Sequence, residues 1–447
     1  MNSPQGGIEL ATAGGVTPAR AVAAEICSDL RAGELLDPSF DRQASELDAR
    51  DRRWLRELVY GMLRHRSAID AILAERVRGG LGQVDADLLD LLRLGVHQLL
   101  HMGSVPAYAA IAQTVELSKR RHGIGASKLT NAVLRRVDRE GDVRPTLPAD
   151  RADALAVEHS HPRWLVIRWI AQWGIDATEE LLRRNNLEAP LVLRPFGIVR
   201  EQLEAMLEEA GVQVEDSPLV RDSIRVSGGI TLTELGAFRQ GLFFVQDPAS
   251  TLVTQYASIS ADATVADLCA APGGKALELS RTARIVVAAD RSYSRLGRVV
   301  SNRDRLEARN VFPVAVDARM PAIRPVDVVL VDVPCTGTGT FRRHPDARWR
   351  LRISDLAVMS SLQAAILRGA ATVVAPDGFL VYSTCSLEPE ENEQQIESFL
   401  AGNPDWELSP PPDGTVDRSA MDGAFLRVLP HIHGTDGAFA ARLRRKI

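Results

Sequence analysis

The sequence predicts a multi-domain protein in which an all-α bundle is followed by a small α+β module and then by a doubly wound α/β domain. Three observations lead to this fold class. The chain has 447 residues, more than one hydrophobic core ordinarily organises. Apolar residues recur at helical spacing from about residue 16 to 140. From about residue 247 onward, strand and helix candidates alternate regularly.

The first domain is predicted to be helical, at residues 15–141, after a disordered tail at residues 1–14. Its apolar residues recur every three or four positions without strand-like alternation, which predicts about six or seven helices. Glycine pairs such as Gly79-Gly80 are typical helix ends. The periodic segments are Ala21–Leu30, Trp54–Leu63, Leu88–Leu99, Ala110–Leu117 and Leu129–Val137.

The second domain is predicted to be a small α+β module at residues 155–245, after a proline-containing linker at residues 142–154. Helical stretches such as Arg200–Ala210 alternate there with short β-like runs, which predicts one small sheet. The β-like runs are Leu191–Arg194, Ile224–Val226 and Leu242–Val245.

The third domain, at residues 246–447, alternates between strand and helix patterns. This alternation predicts a mostly parallel, doubly wound sheet. Two late β-like runs, Ala424–Leu429 and Ala438–Leu443, predict a hairpin at one edge. The strands are Val265–Cys269, Ile285–Asp290, Val311–Val316, Val328–Asp332 and Phe379–Thr384, with helices near Lys275–Arg281, Ser292–Arg305, Ser354–Val373 and Pro389–Ala401.

Composition limits the class of protein. The apolar fraction of 45% and charged fraction of 25% are typical of soluble globular chains, and no apolar run has the length of a membrane span. The four cysteines are too few for a disulfide scaffold, and none are spaced as zinc ligands. We therefore expect a cytoplasmic protein with no metal and no membrane association. Separately, we expect a monomer. The net charge of −5 argues against a nonspecific nucleic-acid coat protein, although basic runs occur locally.

Ligand-binding residue types follow all five predicted strands. In an open parallel sheet, ligands bind outside the carboxyl ends of the strands. Any one such residue could be a helix cap or a turn residue, but five strand ends together favour a binding site. A carboxylate after the second strand suits the ribose hydroxyls of a nucleoside cofactor, and one after the third suits an adenine amino group. In chain order these residues are Cys269-Ala270-Ala271-Pro272-Gly273-Gly274-Lys275, Asp290, Asp317, Asp332 with Cys335, and Cys385.

Cys335 and Cys385 differ from Cys27 and Cys269, which we expect to be packing residues. Both follow strand ends at the predicted ligand edge, and a thiolate is a strong nucleophile. Thiolate addition to C6 of a cytosine makes C5 reactive enough to accept a methyl group, after which the C5 proton and the thiolate leave. This chemistry needs a nucleophile, a base and a proton donor near N3, which two cysteines and Asp332 can supply. The residues alone leave open which cysteine attacks.

These motifs resemble the two-cysteine RNA cytosine-C5 methyltransferases. From about residue 16 onward, the chain resembles their bacterial Fmu/Sun (RsmB) type, which acts on 16S ribosomal RNA. The helical domain resembles the NusB-type RNA-binding domain in Leu58-Val59-Tyr60-Gly61, Leu63-Arg64 and Asn131–Arg135, and Gln246–Ser250 resembles the family's lead-in to the catalytic domain. The resemblance implies a Rossmann-like domain, S-adenosylmethionine as cofactor and 16S ribosomal RNA as partner.

The resemblance also implies individual roles. It places the cofactor loop at Cys269–Lys275, the ribose carboxylate at Asp290 and the adenine contact at Asp317. Asp332 matches an aspartate that lies by both the cofactor and the cytosine ring. The nucleophile falls on Cys385, and the thiol needed to release the methylated product falls on Cys335. Departures from the family pattern, none at a group doing chemistry, are Ala276, Glu307, Val333, Thr336 and Ala438.

RNA contacts are expected from the α+β module and from the basic stretch Arg342–Arg352. Phe341, just before this stretch, or Trp349 within it is expected to stack on a base. The alternative for any basic run is a solvated face. The predicted phosphate contacts are Arg342, Arg343 and Arg348.

Two alternative functions remain on the sequence alone. One is the same chemistry on transfer RNA or on another ribosomal site. The other is a noncatalytic RNA-binding or assembly protein with a vestigial methyltransferase fold. A metal-dependent nuclease or an NAD enzyme fits less well, because the glycine loop is not G-x-G-x-x-G and the two thiols would have no role.

Overall fold

The computed structural model describes residues 15–228 and 231–446, so the predicted tail at residues 1–14 lies outside the described residues. Contacts group the chain into two compact units. The helical unit contains the chain up to Asn186 together with His344–Trp349. The sheet unit contains Leu187–Arg343 and the chain from Arg350 onward.

The helical unit consists of amphipathic helices whose apolar faces form one core. Its helices are α1 (Pro18–Arg31), α2 (Leu36–Gln43), α3 (Ala49–Arg64), α4 (Arg66–Ala74), α5 (Ala86–His101), α6 (Ala107–Glu140, interrupted at Gly123), α7 (Arg151–Glu158), α8 (Arg163–Trp173) and α9 (Ile175–Asn185). Side-chain caps start several of them: Asp48 accepts from the backbone N–H of Asp51 at the start of α3, and Asp85 caps α5 in the same way. Leu55 and Leu92 from these two helices are fully buried in the core. The sequence placed α8 and α9 in the α+β module, whereas their contacts group them here.

A short segment from the C-terminal half of the chain, His344–Trp349, also belongs to the helical unit. Arg348 is 0% exposed there, and its guanidinium donates to Oδ1 of Asn186 at 2.7 Å and to the carbonyl oxygen of Asn185 at 3.1 Å. Trp349 packs against the helical core. The segment is therefore an internal part of the helical unit, although the sequence placed it in the third domain.

The N-terminal part of the sheet unit is a small α+β module. Its strands are β1 (Leu191–Pro195), β2 (Gln213–Asp216), β3 (Ile224–Ser227) and β4 (Phe243–Val245), with helices α10 (Arg200–Glu209) and α11 (Gly236–Arg239). The strands form one antiparallel sheet in the order β2-β3-β1-β4. Leu193, Leu203 and Phe243 are fully buried in its core.

The rest of the sheet unit is built on a second, larger sheet. Its strands are β5 (Thr264–Asp267), β6 (Ile285–Asp290), β7 (Val311–Ala315), β8 (Val326–Asp332), β9 (Val374–Thr384), β10 (Trp406–Leu408), β11 (Met421–Asp422), β12 (Phe425–Val428) and β13 (Ala438–Arg445). Its helices are α12 (Pro248–Tyr256), α13 (Gly274–Ser280), α14 (Tyr293–Leu306), α16 (Ile353–Ala371), α17 (Glu393–Gly402) and α18 (Pro430–His433). The short helix α15 (Ala347–Arg350) lies mostly in the segment His344–Trp349 of the helical unit.

The strand order is β11-β12-β13-β9-β8-β5-β6-β7, and β10 pairs with β13. Strands β5 to β9 are parallel, whereas β12 and β13 form the predicted antiparallel hairpin. Both faces are covered: Val328 and Leu330 of β8 face one core cluster, and Val329 and Val331 face another. The chain moves outward from β5 to β7 and then returns to β8 on the other side, so the order reverses between β5 and β8. In doubly wound sheets, ligands bind at this reversal point.

Within residues 15–228 and 231–446, no helix combines the length and the apolar character that crossing a bilayer requires.

Candidate active site

The loop after β5 forms one wall of a pocket at the reversal point. This loop ends at Gly273, whose φ of 112° lies in the left-handed region that favours glycine. A Cβ there would lie 3.4 Å from the backbone of Val299, so the residue also allows a close approach to α14. The pocket has a volume of about 280 Å³ and is lined by all of Cys269–Lys275 except Gly273, together with Asp332.

Two polar side chains in this pocket have atoms left without a partner. Asp267 is 1% exposed and Gln246 is 5% exposed, and among the described residues no group bonds to Asp267 Oδ2 or to Gln246 Nε2. Burial, and then the nearby charge of Asp332, raise the pKa of Asp267 to about 7. A buried acceptor and a buried donor without partners suit a ligand that carries both an ammonium and a carboxylate group, as a methionine moiety does.

Asp290 ends β6 against the same loop. Its Oδ2 accepts from the backbone N–H of Ala271 at 3.3 Å, and its Oδ1 accepts from that of Ser292 at 2.8 Å. Asp317 lies beyond the end of β7, where hydrogen bonds from Arg319 lower its pKa to about 2. Neither carboxylate lines the pocket itself.

Asp332 connects the pocket to the segment that carries Cys385. Its Oδ2 accepts from Lys275 Nζ at 2.7 Å, and its Oδ1 accepts from Ser383 Oγ at 2.9 Å. Burial opposes the positive charge of Lys275, but the ion pair with Asp332 outweighs burial and raises the pKa of the lysine. Asp332 is therefore fixed from both sides, by a cation and by a hydroxyl group.

The two predicted active-site thiols meet at the carboxyl ends of adjacent strands. Cys335 follows β8 and Cys385 follows β9, and their Sγ atoms are 3.2 Å apart. The hydrogen bond with Cys385, and then burial, raise the pKa of Cys335 well above its ordinary value. Two thiols at this distance can reach the same small substrate ring.

The chain matches three known domain families and several named proteins over most of its length. Residues 256–444 match the family model of the 16S rRNA methyltransferase RsmB/F, residues 17–139 match that of the NusB family, and residues 161–233 match that of the RsmF/B-like ferredoxin-like domain. The probable ribosomal RNA small subunit methyltransferase B of Synechocystis is 34% identical over 96% of this chain and 99% of its own length. Its namesake in Bacillus subtilis is 33% identical over 90% of this chain and 93% of its own.

The chain belongs to the ribosomal RNA small subunit methyltransferase B family. The crystal structure of the protein PH0851 has a TM-score of 0.80 at 28% identity and covers 96% of this chain and 98% of its own. The predicted family and fold class are thereby confirmed. At the level of the family, the predicted enzyme class and its cofactor, S-adenosylmethionine, are confirmed as well.

The predicted phosphate contacts in the basic stretch need correction. Arg342 is buried and donates to the carbonyl oxygen of Glu188 at 2.7 and 3.0 Å. Arg348 is buried in the helical unit, and Phe341, predicted as a stacking residue, is fully buried too. These side chains have no surface to offer an RNA, because the protein's own carbonyl groups and core already surround them.

Arg343, the third predicted phosphate contact, is an ion-pair partner within the site. Its guanidinium donates to Asp247 at 2.6 Å and to Asp436 at 2.5 Å, and all three residues line the pocket. Burial opposes its charge, but the two carboxylates outweigh burial and raise its pKa. Its donors therefore connect two distant segments of the chain around the pocket.

Sequence reasoning gave no role to several residues of the site. Asp267 ends β5 and could have been found by the rule that singled out Asp290. Gln246 and Asp247 were noted only as part of a lead-in segment. Asp436 offers no local signal, because its partner Arg343 lies 93 residues away.

Across residues 15–228 and 231–446, no group of three or more His, Cys, Asp or Glu side chains is arranged to hold a metal ion.

Proposed function

We propose that this chain methylates C5 of a cytosine in 16S ribosomal RNA through a covalent bond between Cys385 Sγ and C6 of the base. The observation that carries the proposal is the approach of Cys335 Sγ to Cys385 Sγ at 3.2 Å, next to a pocket that Asp332 lines. A noncatalytic assembly protein does not account for two thiols so placed.

The cofactor site is assigned to the pocket and its rim. S-adenosylmethionine, when bound, supplies an electrophilic methyl group. The loop Cys269–Lys275 would hold it, Asp290 would accept from the ribose hydroxyls, and Asp317 would accept from the adenine amino group. The unpaired atoms of Asp267 and Gln246 support this assignment, because the α-ammonium and α-carboxylate groups of the cofactor would satisfy them.

The protein's own groups then carry the reaction on the base. Cys385 Sγ adds to C6, which makes C5 nucleophilic. Asp332, held by Lys275 and Ser383, is the hydrogen-bond partner or acid toward N3. After C5 has accepted the methyl group, Cys335 as a thiolate takes the C5 proton, the C5–C6 double bond re-forms, and Cys385 leaves C6 as a thiolate.

The RNA is assigned from the family. Relatives named ribosomal RNA small subunit methyltransferase B match nearly the whole chain, and the helical region matches the NusB family. We expect the enzyme to act as a monomer in the cytoplasm. Transfer RNA and other ribosomal sites would use the same chemistry, so only the modified RNA distinguishes them.

Bisulfite sequencing of RNA from a strain lacking this gene identifies the substrate. We expect one 5-methylcytosine to disappear from 16S ribosomal RNA and to return when the gene is restored. Loss of a methylated position from transfer RNA or from the large subunit instead would refute the assignment to 16S RNA.

Single variants of the two cysteines distinguish their proposed roles. Cys385→Ala is expected to abolish both methyl transfer and any covalent protein–RNA species, because the nucleophile is gone. Cys335→Ala is expected to accumulate that species on denaturing gels, because elimination is slowed. Cys27→Ala, at a fully buried position in the helical core, is the matched cysteine control. If the covalent species accumulates with Cys385→Ala, the two roles are reversed.

A further inference from the structure

Glu391 is a buried carboxylate to which the proposed mechanism gives no role. It is 0% exposed and ends the 3-10 turn Pro389–Glu391, between β9 and α17. A buried carboxylate is costly unless hydrogen-bond donors surround it. The donors that bond to Glu391 therefore indicate which parts of the chain it holds together.

Four donors surround the carboxylate. Its Oε1 accepts from the backbone N–H of Thr336 at 2.9 Å and from Gln363 Nε2 at 2.8 Å. Its Oε2 accepts from Ser386 Oγ at 2.5 Å and from Thr336 Oγ1. Three of these four bonds thus come from two residues, Thr336 and Ser386.

These two residues directly follow the two active-site cysteines. Thr336 comes after Cys335 and Ser386 after Cys385, so one carboxylate holds the loops after β8 and β9 together. The next residue, Asn392, acts on the same loop: its Oδ1 accepts from Thr384 Oγ1 at 2.6 Å, and its Nδ2 donates to the carbonyl oxygen of Ser386 at 2.9 Å.

We propose that Glu391 is a positioning residue that holds the two thiols in register, so that both reach one cytosine ring. It does not touch the substrate. This inference rests on the proposed function, because register between the thiols matters only if both act on the same ring. Displacement of a reacting group by about 1 Å can cost on the order of 10²-fold in rate.

The charge of Glu391 has a second effect on the same pair. After the hydrogen bond with Cys385 and burial, the negative charge of Glu391 contributes to raising the pKa of Cys335. Removing that charge lowers the pKa, so Cys335 becomes reactive as a thiolate at lower pH. This shift reports on the electrostatic coupling of Glu391 to Cys335, and kcat reports on the positioning of the two thiols.

Glu391→Gln removes the charge and keeps the shape of the side chain, but it weakens or reverses the hydrogen bonds that hold the two loops together. The partners of Oε2 are hydroxyl groups, which can accept from an amide NH₂, whereas the partners of Oε1 are N–H donors that still meet an amide oxygen. Glu397→Gln, the same substitution at an exposed position of α17, is the matched control.

For Glu391→Gln we expect kcat for methyl transfer to fall by tenfold or more, up to the order of 10²-fold, with KM for RNA unchanged. Alkylation of Cys335 by iodoacetamide, followed by peptide mass spectrometry, is expected to begin at lower pH than in Glu397→Gln. The positioning role is wrong if Glu391→Gln matches Glu397→Gln in both measurements. That means a kcat within about twofold, a difference smaller than the loss of one hydrogen bond ordinarily causes, and alkylation of Cys335 that begins at the same pH.

Two further variants loosen one loop each and decide the question if Glu391→Gln does not fold. Thr336→Val acts on the Cys335 side and is expected to accumulate the covalent protein–RNA species. Ser386→Ala acts on the Cys385 side and is expected to form that species more slowly. Equal effects of both variants on adduct formation and release would contradict the inference.

The alkylation measurement needs no RNA, so it separates the two proposals. If the wild-type protein methylates no RNA but Glu391→Gln still shifts the Cys335 profile, the proposed function fails while the coupling of Glu391 to the thiols stands. If methylation is present and neither kcat nor the profile changes in Glu391→Gln, the proposed function stands and the role of Glu391 fails.

Discussion

At the scale of single residues, burial of the Asp267 carboxyl group costs free energy that no hydrogen bond from the described residues to its Oδ2 offsets. Its Oδ1 accepts from the backbone N–H of Cys269 at 3.3 Å, while its Oδ2 is buried among the described residues without a partner. Burial and the nearby Asp332 raise its pKa to about 7. Buried groups of this kind are concentrated at binding sites, where a ligand completes them.

Asp267→Asn is expected to stabilise the ligand-free protein above neutral pH. Because the folded-state pKa is raised to about 7, the carboxyl group favours folding most below pH 4, and this contribution is lost as the pH rises toward 7. Each unit of pKa difference corresponds to about 1.4 kcal/mol, so the variant should gain a few kcal/mol at pH 8 and less at pH 5. Denaturant unfolding at the two pH values measures this.

The same variant should bind S-adenosylhomocysteine more weakly than the wild-type protein, because a neutral amide is a poorer partner for an ammonium group. A variant that is less stable than wild type at both pH values would show that the Asp267 carboxylate stabilises the fold and is not reserved for a ligand.

Residues that follow strands could be predicted from the sequence, and buried arginines could not. Cys335 and Cys385 were found because strand ends share one edge of a parallel sheet, and the structure brings their Sγ atoms to 3.2 Å. Arg342 and Arg348 were assigned to RNA because they lie in a local run of basic residues, which can bind phosphates. Their acceptors lie 154 and 163 residues away in the chain, so no local pattern announces them.

At the scale of elements, the loop after β8 and the segment before β13 approach closely through two glycines. The backbone N–H of Gly339 donates to the carbonyl oxygen of Cys385 at 3.0 Å, and that of Gly437 donates to the carbonyl oxygen of Gly339 at 2.8 Å. A Cβ on Gly339 would lie 2.6 Å from the Cys385 oxygen and 2.8 Å from Gly437 Cα. The backbone around Cys385, the proposed nucleophile, is therefore fixed by two neighbouring segments.

Gly339→Ala is expected to lower methyl transfer by on the order of 10²-fold, because both clashing atoms belong to backbone and the Cys385 loop must move. Single-turnover rates measure the loss. Gly297→Ala is the control: a Cβ there meets nothing within 4 Å on α14, so it should add about 0.5–1 kcal/mol of stability and leave the rate unchanged. A wild-type rate in Gly339→Ala would mean that the loop tolerates displacement.

Elements with their own side-chain pattern were predicted, and elements defined by their partners were not. The five parallel strands and the late hairpin follow from apolar runs, and each buries at least one face except β7, in which only Val311 is buried. Strand β2 has polar, mostly exposed residues and exists through its pairing with β3. Strand β10 has three residues and pairs with β13 at a position that the sequence left without an assignment.

At the scale of the whole molecule, the chain consists of two units, and the candidate site lies entirely in the sheet unit. A ligand that binds only the folded state stabilises what it binds, by about 2.7 kcal/mol at one hundred times its Kd. Proteins with more than one unit need not unfold in a single step, so this stabilisation can be confined to one of them.

S-adenosylhomocysteine is expected to slow hydrogen–deuterium exchange in β5, β6 and β8 while leaving α3 and α5 unchanged. Peptide-resolved mass spectrometry with and without the ligand measures this. Equal protection of α3 and the sheet would show that both units open together, and no protection of β5 or β6 would contradict the proposed cofactor site.

The segment His344–Trp349 has a consequence for how this protein is made. The helical unit otherwise ends at Asn186, so about 160 residues must be synthesised before its last six join it. At about 5–20 residues per second, that takes roughly 8–30 s. Until then, the carbonyl groups that Arg348 will cap have no guanidinium partner. The N-terminal unit thus leaves the ribosome first but is completed only after most of the second unit has been translated.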